Sequence, residues 1–225
     1  MMKKKIIIIA VSAAATIGIG GYALYDYYVG NHINIQAAAS ENTKQVSEAQ
    51  TLTAEQMNKS WTINKESKVY FSVTTSKETV NFEMNGITGT WDFNLQDPAQ
   101  MKAIAKGDMN QINSGNSDRD GHLKAAEYFD TVTHPEAIFE AVSFEQWNPA
   151  WTEGKKQSFI INGKLTVKGK TKEVRFEAES MFKDGKLYLD GATKVTFGDF
   201  GIKAPDSVVA KTQEEIQLTL RTVLE

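Results

Sequence analysis

The chain has 225 residues, 41% of them hydrophobic and 24% charged, enough for one globular domain with appendages and a substantial core. Its formal net charge is −3, but Lys3, Lys4 and Lys5 against Asp26 give the first 30 residues +2, so the rest carries −5. An acidic body argues against nucleic acid as a partner, and the absence of cysteine excludes disulfides, thiolate catalysis, cysteine-based zinc sites and a lipid-attachment cysteine.

Lys3–Lys5 precede Ile6–Tyr25, an uncharged and mostly apolar run of twenty residues. As a helix this run is about 30 Å long, enough to cross a bilayer core. Tyr22, Tyr25, Tyr27 and Tyr28 then gather where an interfacial aromatic belt would lie. Lysines ahead of the span and none just after it place the N-terminus inside and the body outside. Two readings of residues 1–30 stay open, an uncleaved signal-anchor and a cleaved signal peptide. A cleaved signal has a shorter apolar region with a small-x-small site close behind it, whereas Ala37-Ala38-Ala39 lies about a dozen residues further on. The anchor is adopted: a single-pass protein of the cell membrane with its body outside the cytoplasm, or a secreted one if the signal is cut. Residues 31–58 are polar and free of aromatics, a stalk by composition.

Residues 59–225 form the body, and from Trp61 the apolar period becomes two. Val69, Phe71 and Val73 share a face, then Val80, Phe82 and Met84, then Trp91, Phe93 and Leu95. Beyond a short helix come Phe139, Ala141 and Ser143, or the opposite face Ile138, Val142 and Phe144, the register being open. Phe159, Ile161, Leu165 and Val167 follow, then Val174, Phe176, Ala178 and Phe182. Leu187, Leu189, Val195 and Phe197, and finally Ile216, Leu218 and Leu220, complete the series. Such alternation marks antiparallel strands with one buried and one wet face. Asp184-Gly185 is a hairpin signal, and Lys168-Gly169-Lys170 and Asn85-Gly86 are further tight connections. Eight or nine short-linked strands with one helix make an all-β barrel or sandwich, and periodicity does not separate the two.

The stretch from Ser114 to Asp130 interrupts the strands and supports two local readings. Asn116, Asp118, Asp120, Gly121 and Glu127 stand at positions 1, 3, 5, 6 and 12 of a calcium-binding EF-hand loop. Against calcium, position 1 is Asn, Arg119 and Lys124 add cations, and Met109–Gly115 has no helical period. The other reading is a helix start capped by Ser117, Asp118 or Asp120, with Leu123, Ala126 and Phe129 on one apolar face. No metal is assigned.

Four blocks in order carry a resemblance over residues 59–223. They are Trp61-Thr-Ile63 with Ser67 and Val69–Val73; Ser114-Gly-Asn116 with Arg119-Asp120, His122-Leu123 and Phe129-Asp130; Gly163-Lys-Leu-Thr166 with Gly169–Lys172; and Phe197-Gly-Asp-Phe-Gly-Ile202 with Asp206 and Val208. Together they resemble the signature of the YceI-like family. The resemblance implies an eight-stranded antiparallel lipocalin-like barrel with one short helix, outside the cytoplasm, that binds polyisoprenoid lipids. Two features depart from the family pattern. Phe197-Gly198 stands where an Asn-Arg pair is common, and the loop Trp147-Asn-Pro-Ala-Trp151 has no counterpart in the signature.

The chemistry expected of the body is apolar. His32 lies in the stalk, His134 precedes a proline, and Arg119, Asp120 and His122 are adjacent in a block for which the resemblance implies a structural role. No nucleophile elbow, phosphate-cradling glycine loop or paired-histidine motif is present, so neither a catalytic residue nor a cofactor is assigned. The apolar faces of a barrel converge on one interior, which side chains fill or which holds one small ligand. Residue pattern alone favours a filled core; the resemblance implies a pocket. Its expected lining is Phe71, Val73, Phe82, Met84, Trp91, Phe93, Phe159, Ile161, Phe176 and Ala178. The expected ligand is an isoprenoid lipid of quinone or polyprenyl type, each buried CH₂ contributing about 0.8 kcal/mol. A homodimer is compatible with the resemblance. Competing readings are a protein-interaction module with a solid barrel core, and a calcium-binding protein using residues 116–127.

Overall fold

The computed structural model describes residues 30–38, 50–205 and 211–225. The apolar run Ile6–Tyr25, the middle of the stalk, and Asp206 and Val208 of the last block lie outside the described residues. No helix among those described is long and apolar enough to cross a membrane. The chain divides into two compact units, Met1–His32 and Ile33–Glu225, and the second contains the sheet.

The described elements are α1 (Ala54–Met57), β1 (Ser60–Thr62), β2 (Lys68–Thr75), β3 (Thr79–Met84), β4 (Ile87–Asp92), β5 (Lys102–Asp108), β6 (Ile112–Asn113), α2 (Ser117–Lys124), β7 (Glu136–Glu145), β8 (Lys156–Val167), β9 (Lys170–Lys183), β10 (Lys186–Thr196) and β11 (Thr212–Leu224). The strands form one curled antiparallel sheet in the order β1-β4-β5-β7-β8-β9-β10-β11-β2-β3-β6. Eleven strands stand where eight were expected. The additional ones are short or hard to recognise: β1 and β6 have three and two residues, and β5 carries no bulky inward side chain.

Two turns build the long β8-β9-β10 meander. Lys168-Gly169 has φ of 49° and 68°, and Asp184-Gly185 has 52° and 75°. Two successive positive φ values are the twist that a two-residue hairpin requires. Their strands pair from Val167↔Lys170 and Lys183↔Lys186 outward. Asn85-Gly86 does not close a hairpin. It turns a corner between β3, which pairs with β2 and β6, and β4, which pairs with β1 and β5.

The sheet curls until its separated parts meet. β11 pairs with β2 through Ile216–Arg221, and its end then exchanges hydrogen bonds with the last residue of β1 and the segment after it. Thr62 N donates to Glu225 O at 2.9 Å, Glu225 N to Thr62 O at 3.0 Å, and Asn64 N to Val223 O at 2.8 Å. Since β1 also pairs with β4, this junction joins β4 to β11 across a sheet that would otherwise stay open. Ser67, fully buried, strengthens it: its hydroxyl bonds Val223 O and accepts from Val223 N.

The open register of β7 is resolved by a bulge between Ala141 and Ser143. One extra residue, Val142, is pushed outward and is 66% exposed. Phe139 and Phe144, an odd number apart, can therefore both face inward. Phe139 meets Phe176 edge-on at 5.4 Å, and Phe144 stacks on Trp91 at 5.4 Å.

Part of the predicted stalk is bound to the sheet. On its outer face, Asn81 Nδ2 donates to Ile33 O at 3.0 Å, Arg221 Nε to Gln36 O at 2.7 Å, and Ala38 N to Asp190 Oδ1 at 2.8 Å. Leu52 and Met57 are buried in the core, and Leu52 N donates to Trp151 O at 2.8 Å. The packed body thus includes residues ahead of the expected boundary at 59, because these two apolar side chains outweigh the polar average around them.

Candidate functional site

The interior has two parts with different packing. At one end Trp91, Phe93, Phe144, Trp147, Trp151 and Phe159 form a continuous aromatic cluster, with neighbouring ring centroids 5.1–6.4 Å apart. The Trp147–Trp151 loop supplies two of these rings. Trp147 Nε1 donates to Leu95 O at 2.9 Å and Trp151 Nε1 to Asn148 O at 2.8 Å, so both indoles are fixed as they plug this end. β4 stops at Asp92, and Phe93 and Leu95 reach the core from the loop beyond it.

Beside the aromatic plug lies a cavity of about 160 Å³ with almost wholly apolar walls. Phe139, Ile161, Leu165, Phe176, Leu189, Leu218 and Leu220 line it, together with Phe71, Met84 and Trp91. Its space comes from β5. Ala103, Ala105 and Gly107 face inward there, opposite Trp91, Gly89 and Ile87 of β4. A Cβ on Gly107 would lie 2.4 Å from Met84 Cε, so the strand is as thin as a side chain can make it. Gly163 likewise lets the Phe139 ring lie over β8, since a Cβ there would meet that ring at 2.4 Å.

At the opposite end two rings held on loops, Phe129 and Phe200, border the cavity. Phe129 follows α2 and meets Phe71 edge-on at 5.9 Å. Asn116 caps α2 by accepting from Arg119 N at 3.0 Å, and buried Asp120 reaches back to Ser114 N at 2.9 Å. The cap is therefore Asn116, not Ser117, Asp118 or Asp120; Asp120 instead ties the preceding loop to the helix. α2 ends at Lys124, so Ala126 and Phe129 lie beyond it in a turn where Phe129 N donates to Leu123 O at 3.0 Å. Phe200 sits in a single 3₁₀ turn, Gly198–Phe200, stapled by Asp199. That carboxylate accepts from Thr196 N at 2.8 Å and from Lys172 Nζ at 2.7 Å. The Lys172 hydrogen bond, foremost, holds the Asp199 carboxyl below its ordinary range.

Of the ten residues expected to line a pocket, Phe71, Met84, Trp91, Ile161 and Phe176 border the cavity. Val73, Phe82, Phe93, Phe159 and Ala178 are buried but do not border it. Phe82 stacks behind Phe71 at 4.5 Å, Phe93 and Phe159 belong to the aromatic plug, and Ala178 pairs with Phe159. Sequence reasoning passed over Ala103, Ala105, Gly107, Phe129 and Phe200. A usable signal was present in β5, where Lys102, Ile104, Lys106 and Asp108 alternate with small residues at period two.

The polar candidates have local structural partners. His122 packs on Tyr128 with ring centroids 4.7 Å apart, and a ring carbon of His134 lies 3.2 Å from where a Cβ on Gly169 would be. Within residues 116–127, Ser117–Lys124 is helical and Asn116 and Asp120 are spent on backbone amides. No grouping of three or more metal-ligating side chains occurs among the described residues.

The whole arrangement, from the β1 junction through the α2 block to the Phe197–Ile202 turn, is covered by a match to the model of the YceI-like domain over residues 61–224. The chain belongs to the YceI-like family. It is 30% identical over 123 residues to a UPF0312 protein of Photorhabdus laumondii, covering 52% of this chain and 59% of that one. It is 31% identical over 93 residues to the protein YceI of Salmonella arizonae, covering 41% and 44%. The chain thus spans about half the length of the curated relatives it matches. Among solved structures, Burkholderia cenocepacia BcnA superposes with a TM-score of 0.61 at 20% identity, covering 70% of this chain and 96% of that one. A polyisoprenoid-binding domain from Saccharophagus degradans, implicated in plant cell wall breakdown, gives 0.62 at 11% identity, covering 73% and 97%. At these identities the likeness is one of fold.

Proposed function

We propose that this YceI-like chain binds an isoprenoid lipid in its interior and carries or stores it outside the cytoplasm. The observation that carries the reading is the apolar cavity beside β5, where Ala103 and Ala105 leave space that larger side chains would fill, Gly107 being covered by Met84. The polyisoprenoid-binding neighbour from Saccharophagus degradans supports the same ligand class. In this reading the curled sheet acts as a lipocalin-like barrel whose eight principal strands surround the ligand. The residues that hold it are those of the cavity wall, Phe71, Met84, Trp91, Phe139, Ile161 and Phe176 among them. They act by shape and apolarity, so no catalytic group or cofactor is required.

The size of the cavity sets how the ligand enters. An apolar void of about 150 Å³ accepts one benzene-sized group, and this one is comparable at about 160 Å³. One ring or isoprene-sized unit fits the resting interior. A longer quinone or polyprenyl tail then displaces Phe129 and Phe200, the two wall rings held on short loops rather than strands. Each buried CH₂ returns about 0.8 kcal/mol, so several isoprene units offset the cost of moving them.

The N-terminal run Ile6–Tyr25 anchors the chain in the cell membrane with the body outside, and a homodimer is compatible with this placement. The test is organic extraction of the full chain after purification in detergent. Isoprenoid at about one molecule per chain supports the reading. A chain free of lipid that also takes up none from added isoprenoid vesicles overturns it.

A further inference from the structure

Residues 33–38 run extended across the outer face of the sheet, from β3 over β2 and β11 to β10. Ile33 and Ile35 are half-buried while Asn34 and Gln36 are exposed, the alternation of an extended segment with one side against a surface. Tyr70 and Thr219 pair across β2 and β11 on that outer face, between the Asn81 and Arg221 positions, and are only 5% and 8% exposed. The segment is held by its backbone. Asn81 Nδ2 donates to Ile33 O at 3.0 Å. Arg221 and Asp190, opposite each other in the β10–β11 register and paired at 3.5 Å, then form a clasp. Arg221 Nε donates to Gln36 O at 2.7 Å, and Asp190 Oδ1 accepts from Ala38 N at 2.8 Å. The two peptide groups that flank Ala37 are thus both bonded to the sheet. They lie in Ala37-Ala38-Ala39, the small-x-small sequence that follows the apolar run.

An extended peptide is taken up by a partner largely through its main-chain hydrogen bonds. Amides and carbonyls already bonded to the sheet are not free for an enzyme's cleft, so cutting there waits for the segment to lift. We propose that residues 33–38 are a latch: docked on the Asp190–Arg221 clasp, they withhold the Ala37–Ala39 site of the folded chain from a peptidase that cuts after small residues. The latch is independent of what the cavity holds. It acts on whether the body stays joined to the N-terminal run, and it explains why two charged side chains on a wet face are spent on a backbone that belongs to no strand.

The test exposes the full chain, in detergent micelles, to elastase, which cuts after small residues, and reads new N-termini by mass spectrometry. In the wild type, cuts after Ala37, Ala38 or Ala39 should be at least about tenfold slower than in a free peptide of residues 30–45, the effect of two net hydrogen bonds. The Ala38 amide should also be protected from hydrogen exchange. Asp190→Ala and Arg221→Ala should each speed those cuts by roughly two- to tenfold, the range of one net hydrogen bond, because proteolysis of a briefly opened segment follows its open population. Cuts elsewhere in the body should keep their wild-type rate, which separates a lifted strap from a body that folds poorly. The latch is overturned by wild-type cutting as fast as in the peptide, by an Ala38 amide that exchanges at the peptide's rate, or by variants in which cuts at Ala37–Ala39 accelerate no more than the others. The exchange measurement needs no variant, so it decides the matter even where a substitution unfolds the chain. A purified chain that already begins near Ser40 overturns the latch and the uncleaved anchor together and leaves lipid binding standing.

Discussion

Asp120 and Asp199 do similar work at the end of the cavity bordered by Phe129 and Phe200: each is a short carboxylate that ties a loop so that a ring behind it reaches the interior. Asp120 satisfies the buried amide of Ser114 at the entrance to α2. Asp120→Ala removes a carboxylate that accepts from a backbone amide, and a hydrogen bond to a charged group contributes about 1.5–3 kcal/mol, whereas Asn116→Ala removes only a helix cap, about 0.5–2 kcal/mol. Urea denaturation of the two variants should rank them in that order. The melting temperature of the wild type should not change when calcium is chelated, because Asn116 and Asp120 hold backbone amides; a fall of many degrees restored by calcium alone would contradict this assignment. For Asp199 the folded carboxyl titrates below its ordinary value of about 3.9. A depressed carboxyl stabilises fully above the unfolded value and loses that contribution as pH falls through the folded one. Asp199→Asn should therefore be less stable than wild type at pH 7, by about 0.5–1.5 kcal/mol for one hydrogen-bonded partner. As pH falls through the folded value the two chains should converge, and equal stability at pH 7 would show that the Phe197–Ile202 turn does not depend on the charge.

At the scale of elements, β5 explains both what was hidden in the sequence and where the cavity lies. Strands such as β2, β8 and β9 announce themselves because bulky residues alternate with polar ones, as Phe71 and Val73 do around Ser72. β5 has the same period, but its inward positions are Ala103, Ala105 and Gly107, so an eye for large apolar side chains passes over it. The omission matters because a strand that presents little volume is what leaves a void. Burial of an apolar face was legible; the distribution of volume along the interior was not, since it depends on which faces oppose one another. Ala178 illustrates this. It shares a face with Phe176 in sequence, yet it pairs with Phe159 in the filled aromatic end. Ala178→Phe should thus be destabilised by roughly 1–3 kcal/mol through overpacking. Ala105→Phe adds a ring of about the size the cavity accepts, so its melting temperature should stay within a few degrees of wild type, a few degrees being about 1 kcal/mol for a domain of this size. Equal destabilisation of the two variants would mean that the interior is filled throughout.

For the molecule as a whole, the account joins a basic, apolar N-terminus to an acidic body that encloses apolar space. If Lys3–Lys5 and Ile6–Tyr25 form an anchor, the intact chain should fractionate with membranes. Protease added from outside should then release the body. Recovery in the medium with a new N-terminus near Ser40 would instead identify a cleaved signal. The central claim is that the void beside β5 holds an isoprenoid. The most direct measurement of it is isoprenoid content per purified full chain, compared between wild type and Ala105→Phe prepared alike. The account predicts about one lipid per wild-type chain and little or none in the variant, with both melting at nearly the same temperature. A wild type without lipid, or a variant that retains it in full, would contradict the account.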